Sequence, residues 1–484
     1  MAYVAHGQKK IQIYMKKVFV SAGMLVAGFA GLQTALAAGP DLVSPKAWNV
    51  SATLRGFYDD NYNISGTGRG SFGAELVPTI SLHVPMRQTD FGMRYTYGLY
   101  YYQDRDAAGM DPFDQTHQLN LWLDHAFNQR WKANITDTVA VGQEPELLRS
   151  TSGGGAAVPY RVSGNNLANH ATATLSTEWT RLFSTSLSYG NNFYDYENSG
   201  TTLGGIAPTP QFPPQFPILP VGTPGGSGFQ ALSANPTLAG TLNRIEQNIS
   251  LDLQWHFRPE TIGFVGYNFS WVNYIGNEPI GVFNYYNSTY PALSSPHSVV
   301  YRSDSRDSYS HYAYLGVQHQ FSANLSGSVR GGVSYTDSYN DPLQATTSLA
   351  PYADLSLSYT YIPGSYVQLG FTHDINATDI ASVNSVTGSL TQYQESSVIY
   401  ASLNHRINPR LLGTIIGRCQ YSTYQGGVSD SVSDTDFSLG VNLRYQFNTH
   451  FSADVGYNFD NLTSGIDGRT YSRNRVYLGL GANY

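Results

Sequence analysis

The chain has 484 residues, of which 61 carry a charge, 65 are aromatic and 48 are glycine. Charge stands at 13%, against roughly 25% in soluble domains, yet the mean hydropathy is −0.27; Ser, Thr, Asn, Gln, Gly and Tyr have replaced charge, not a larger aliphatic core. That composition excludes an ordinary cytosolic enzyme and a disordered chain, and the lone Cys419 excludes an internal disulfide and a paired-cysteine metal site.

The first expected element is removable. Lys16 and Lys17 precede an apolar run from Val18 to Leu32, and Ala35-Leu36-Ala37 offers a small-residue cleavage site. This is the layout of a secretory signal peptide. A membrane-anchoring helix needs around 20 apolar residues, and this run is shorter and broken by Gly23, Gly28 and Gly31. Residues 1–37 therefore read as an N-terminal extension with a cleavable signal, and 38–484 as one domain. Cleavage removes four of the six lysines and leaves 23 basic residues against 34 acidic ones. Nucleic-acid binding through a basic surface is not expected.

From Trp48 the apolar period is two, the signature of a strand with different faces. The first strand runs from Trp48 to Tyr58. Eight short turns follow, near Pro85 to Gln88, Asn128 to Arg130, Thr180 to Leu182, Arg258 to Glu260, Ser322 to Ala323, Ile362 to Gly364, Asn408 to Pro409 and Asn448 to Thr449. Each closes a hairpin of strands about 11 residues long, and longer polar segments join successive hairpins. With the last strand, Arg475 to Tyr484, the count is 18, with 16 as the alternative; the stretch from Tyr274 to Arg306 is where a further pair would hide. Asp137 breaks the pattern, falling among Ile135, Val139 and Val141, which implies a bulge or a misplaced boundary. The segment from about Asn198 to Asn243 is rich in proline, Pro208 to Pro224, and reads as a surface loop, with a loop folded inward to narrow the pore as the alternative.

Segregation of short turns at one end and long loops at the other predicts an all-β fold: a transmembrane up-and-down antiparallel β-barrel of the outer membrane. Closure removes the exposed edges of so long an array. Phe127, Trp131, Trp179, Phe183, Trp255, Phe257, Phe447 and Phe451 flank the short turns and are expected to form an interfacial aromatic girdle. Val476, Leu478, Leu480, Ala482 and Tyr484 share one face of the last strand and read as the signal by which the barrel assembly machinery recognises its substrate.

The segments SATLRGFYDDNYN, TDFGMRYTYGLYYYQDR, DQTHQLNLWLDHAFNQRWK and RLFSTSLSYGNNFYDYE are similar to the putative beta-barrel porin 2 family. The resemblance extends over most of the chain from about Ala47. It implies an outer-membrane barrel and carries over no functional residue.

The faces opposite the apolar ones hold Arg55, Glu75, Arg94, Asp124, Lys132, Glu178, Glu246, Asp252, Arg330, Asp354, Arg418, Asp436, Arg444 and Asp454, together with Thr53 and Ser81. These are the candidate pore-lining residues. A barrel of 16 to 18 strands leaves an aqueous channel, opposite charges across it would sort solutes, and the modest excess of acids predicts a weak cation preference. The expected function is passive diffusion of small hydrophilic solutes; the alternatives are a surface adhesin or structural barrel occluded by its loops, and an outer-membrane hydrolase. Neither a cofactor nor a metal site is expected. Gly68 to Gly73 matches GxGxxG but runs into a strand, no GxSxG elbow occurs, and His117, His125 and His170 are scattered, as packing histidines are. Asp59-Asp60-Asn61 and the stretch Asp430 to Asp436 lack a specific calcium spacing. The expected partners are outer-membrane lipid, the assembly machinery and small solutes, with homo-oligomers compatible.

Overall fold

The computed structural model describes residues 47–142, 166–197, 204–206, 231–233, 236–286, 296–343 and 345–484. The expected signal segment and the prolines from Pro208 to Pro224 lie outside these residues.

The elements follow in chain order as β1 (Trp48–Asp59), β2 (Ser71–Pro85), β3 (Thr89–Tyr102), β4 (Phe113–Ala126), β5 (Trp131–Gly142), β6 (Asn166–Glu178), β7 (Phe183–Tyr196), β8 (Gly204–Ile206), β9 (Ala231–Ser233), the single-turn helix α1 (Leu238–Leu242), β10 (Arg244–Arg258), β11 (Thr261–Tyr274), β12 (Pro279–Tyr286), β13 (Pro296–Arg302), β14 (Ser308–Ser322), β15 (Leu325–Ser338), β16 (Thr346–Ile362), β17 (Ser365–Asn376), β18 (Tyr393–Asn408), β19 (Leu411–Gln425), β20 (Ser433–Gln446), β21 (Phe451–Ser464) and β22 (Tyr471–Asn483). Eighteen of the strands form one antiparallel sheet in which each pairs with its neighbours in the chain. The sheet closes because β1 pairs with β22, from Ser51 opposite Asn483 to Asp59 opposite Arg475. The remaining strands make two small hairpins outside the wall, β8 with β9 and β12 with β13. The pair hidden between Tyr274 and Arg306 is thus real but belongs to a loop.

All eight short turns fall between strands as expected, and their side chains explain why. Asn128 Oδ1 accepts from the amides of Arg130 and Trp131 at 2.8 and 3.0 Å. Asn408 does the same for Arg410 and Leu411, and Asn448 for His450 and Phe451. An asparagine that substitutes for a backbone acceptor closes the chain reversal locally.

Strict alternation then separates two surfaces. Leu54, Leu315, Leu349 and Leu478 point outward and are more than half exposed, whereas Arg55, Glu75, Arg418 and Asp454 point inward and are buried. No register shift interrupts β5 against β4 or β6. Asp137 is therefore outward by ordinary alternation, and it accepts a hydrogen bond from Asn169 Nδ2 on the next strand. Neither a bulge nor a boundary error accounts for it.

The glycine content has a packing reason. Inward aromatic rings occupy the space over glycines directly opposite on the next strand: Trp122 over Gly92, Tyr400 over Gly370, Tyr477 over Gly456. A Cβ on Gly92 would stand 1.8 Å from the Trp122 ring, and one on Gly370 2.0 Å from Tyr400. The ring covers a backbone that lacks its own side chain, and the interior keeps room for bulky residues. Replacing Gly92 with Ala should force the Trp122 ring aside and lower unfolding stability by about 1–3 kcal/mol. Urea titration of the folded barrel, read by electrophoretic mobility without heating, measures the loss; an unchanged midpoint would show that the ring has a second place to go.

Candidate functional site

The interior is the candidate site, and register builds it. Every residue singled out above for the interior lies on the inward face, because each opposes another inward residue across its ladder. Opposite signs lie side by side rather than across the lumen. Arg55 reaches Glu75 at 2.9 Å and Asp454 at 2.8 Å, linking β1 to β2 and to β21. Arg418 meets Asp436 at 3.1 Å, and Arg330 and Asp354 are register partners, as are Arg444 and Asp454. Lys132 and Glu178 stand 3.7 Å apart near the short-turn end, both well exposed. Glu246 pairs with Arg244 at 2.6 Å, Asp252 accepts from the Tyr314 hydroxyl at 2.7 Å and Asp124 from Asn134 at 2.6 Å. Arg94 opposes Asn120 on one side and Ser81 on the other.

Several inward charges escape a reading by eye, although alternation would have found those on strands. Asp59 binds both Arg473 and Arg475, the latter at 3.0 Å. Arg105, past the end of β3, meets Asp114 at 2.6 Å and lies 3.7 Å over the Tyr102 ring. Arg244 lies 4.0 Å over Tyr194, and Arg55 4.8 Å over Tyr477. Guanidinium against carboxylate on one side and ring face on the other is the recurring unit of this interior.

The long-loop end carries a feature that strand patterning does not announce. Residues 377–392, between β17 and β18, fold across the mouth as a strap. Arg306, just before β14, donates to the carbonyls of Thr378 and of Thr241 in α1, at 2.5 and 3.1 Å. The next strap residue, Asp379, pairs with Arg469 at 3.0 Å, and Arg469 lies just before β22, eight strands further round the wall. Two consecutive residues therefore touch nearly opposite sides of the opening. Burial acts against the Arg469 charge, but Asp379, Tyr424 and Asp434 outweigh it and raise its pKa above the ordinary value. Ile380 packs with Ile64 beside the buried Tyr424, Leu462 and Tyr471, while Ala381, Val383 and Leu390 join Ile280 and Tyr301 of the β12–β13 hairpin. Beneath the strap a cavity of about 180 Å³ opens onto the inward faces of β10, β11 and β14.

The other motifs are absorbed structurally. Asp60 accepts from the Asn474 backbone and side chain at 2.6 and 2.7 Å, the Asn61 side chain holds the turn to Ser65, and Asp430 and Asp434 bond to neighbouring loop and strand groups. The GxGxxG stretch leads into β2 with no helix behind it. His117 bonds Tyr95, His125 bonds Thr89, and His170 bonds Asn192, at 2.8 to 3.0 Å; none forms a serine–histidine–acid array among these contacts. The aromatics expected at the girdle all sit at the short-turn end, with Trp131 against Trp179 at 5.7 Å and Phe183 against Trp255 at 5.5 Å.

A family model described as Putative beta-barrel porin 2 matches residues 296–484. The stretches that carry the resemblance in the sequence, within 51–197, precede the matched part. Comparison with curated proteins finds no match. Among solved structures the chain is similar to Acinetobacter baumannii OccAB4 (9% identity, TM-score 0.37, 91% of this chain and 99% of that one). It is also similar to Pseudomonas aeruginosa OccK2 (OpdF) in complex with glucuronate (12%, 0.40, 90% and 98%) and to the siderophore receptor PirA from Pseudomonas aeruginosa (9%, 0.35, 90% and 80%). The chain forms a closed barrel of 18 antiparallel strands with a polar interior.

The inward clusters are tightly coupled. Arg55→Met would leave Glu75 and Asp454, both buried, without their shared cation, and should cost about 3–5 kcal/mol. Equilibrium unfolding of the variant against wild type measures this. A change below 1 kcal/mol would mean that lumen water screens the pair as if it were exposed.

Proposed function

We propose that this barrel is an outer-membrane channel through which small hydrophilic solutes diffuse passively, with the strap setting its aperture at the outer end. The observation that carries the proposal is the separation of faces around a closed wall of this size: apolar outside, charged and hydroxylated inside.

Two aromatic belts support a membrane setting. At the short-turn end stand Trp48, Trp255, Phe447 and Phe451; toward the long loops Tyr58 meets Phe72 at 4.8 Å, Tyr101 meets Phe113 at 5.3 Å and Phe437 meets Phe459 at 6.0 Å. Trp48 and Tyr58 are ten residues apart on one strand, as are Phe447 and Phe437 along the chain. At about 3.3 Å per residue and a tilt near 40°, ten residues rise about 25 Å, the height of an outer-membrane apolar band. Residues 1–37 serve as the export signal, the outward face of β22 with Tyr484 as the recognition segment for barrel assembly, and the lipid as the immediate partner. No catalytic role is assigned. With Asp59, Asp114, Arg105, Arg244, Arg473 and Arg475 counted, the named inward acids and bases balance, so the expected weak cation preference gains no support from the wall.

The strap's dense packing favours one competing reading, a barrel occluded by its loops, and the same measurement separates the two. In planar bilayers the wild-type protein should give stepwise conductance; silence after verified insertion favours the occluded barrel. Replacing residues 379–390 with a short Gly-Ser turn should raise the unit conductance at least twofold. An unchanged step would show that the aperture lies elsewhere.

A further inference from the structure

We infer that the cavity beneath the strap is a binding station for a neutral, hydroxyl-rich solute of about the size of a monosaccharide. The inference rests on the channel reading, since a solute reaches this cavity through the lumen, and it adds a chemical class to it.

The charges that border the cavity are already engaged. Glu246 is held by Arg244 at 2.6 Å and by Asn192 at 3.1 Å. The Tyr312 hydroxyl bonds to Asp374, and Arg306 spends its terminal nitrogens on two backbone carbonyls. What remains unsatisfied is mostly neutral. Asn248 Oδ1, Asn268 Oδ1 and Gln392 Oε1 are buried and have no hydrogen-bond partner. Gln392 lines the cavity, is only 5% exposed, and has its amide nitrogen fixed on Asp341 at 2.8 Å. Arg306 Nε is a further buried donor without a partner. Buried orphan acceptors call for a ligand that brings donors, and the accompanying orphan donor calls for one that also accepts. A hydroxyl does both.

The rings supply the other half of the fit. Tyr312 and Tyr314 lie 5.5 and 5.6 Å from Tyr352 between ring centres, and all three line the cavity. Their faces suit the C–H surface of a pyranose, while Ser270, Ser310 and Thr336 offer hydroxyls around it. An anion would meet the carboxylates of Glu246 and Asp374, and a cation would meet Arg306; a neutral polyol meets neither penalty.

The test uses the full-length barrel purified in detergent and three probes of one ring size: D-glucose, D-glucuronate and D-glucosamine. Binding is followed by calorimetry and by tyrosine fluorescence, and conductance is measured separately in bilayers. Saturable glucose binding, at least tenfold stronger than that of either charged probe, is expected. Asn268→Leu should weaken it at least tenfold, with folding checked by heat-modifiable mobility; Gln392→Met serves if that variant does not fold. Binding of glucuronate or glucosamine in preference to glucose, or no saturable binding of any probe, overturns the inference whatever the conductance. Glucose binding with no conductance supports the station and overturns the diffusion reading instead.

Discussion

A β-sheet has edges, and edges carry unpaired amides and carbonyls. In this chain the first and last strands meet, so the wall has none. Everything else follows from that closure. A closed wall has only two faces, each strand residue must choose one, and a single-residue slip would exchange them all. The alternation is therefore strict across strands of 12 to 17 residues, with irregularities confined to the short turns, as at His256/Arg258 and Gln320/Ser322.

The inward face shows how a polar interior is made orderly. Charges are paired along the wall, beside rings, and the rings lie on glycines. Charge, ring and glycine are thus parts of one packing unit. Tyr477 illustrates the arrangement: it covers Gly456, lies beneath the Arg55 guanidinium and accepts from Asn442 at 3.0 Å. The charged ladders pair within the wall, whereas under the strap the neutral side chains of Asn248, Asn268 and Gln392 keep unpartnered oxygens, which is where the proposed binding station lies.

What could be read from the sequence was whatever depends on neighbours along the chain. The turns at Asn128, Asn408 and Asn448 are closed by side chains two and three residues from the amides they hold, so their positions were legible. The inward face was legible by parity, which is why Arg55 and Asp454 were recognised as inward though 399 residues separate them. Their pairing was not, since it depends on β1 lying two strands from β21 across the seam. The strap escaped for the same reason. Ile380, Val383 and Leu390 look like stray apolar residues in a Ser/Thr-rich loop until Ile64, Tyr301 and Tyr424 are brought beside them. Asp137 was noticed as misplaced, but its partner Asn169 lies beyond a long connection.

The seam has a kinetic consequence. Arg55 with Asp454, Asp59 with Arg473 and Arg475, and Asp60 with Asn474 all join residues about 400 positions apart. None can form until synthesis has reached the last two strands, and non-local closure of this kind is slow. Until then the chain presents two unpaired edges and an apolar face. An early stop that removed β22 would cost more than one strand: it would leave Asp59 buried without either arginine and β1 without a partner. Truncation near the C-terminus should therefore yield no smaller barrel, but a chain that stays open and is cleared before it closes.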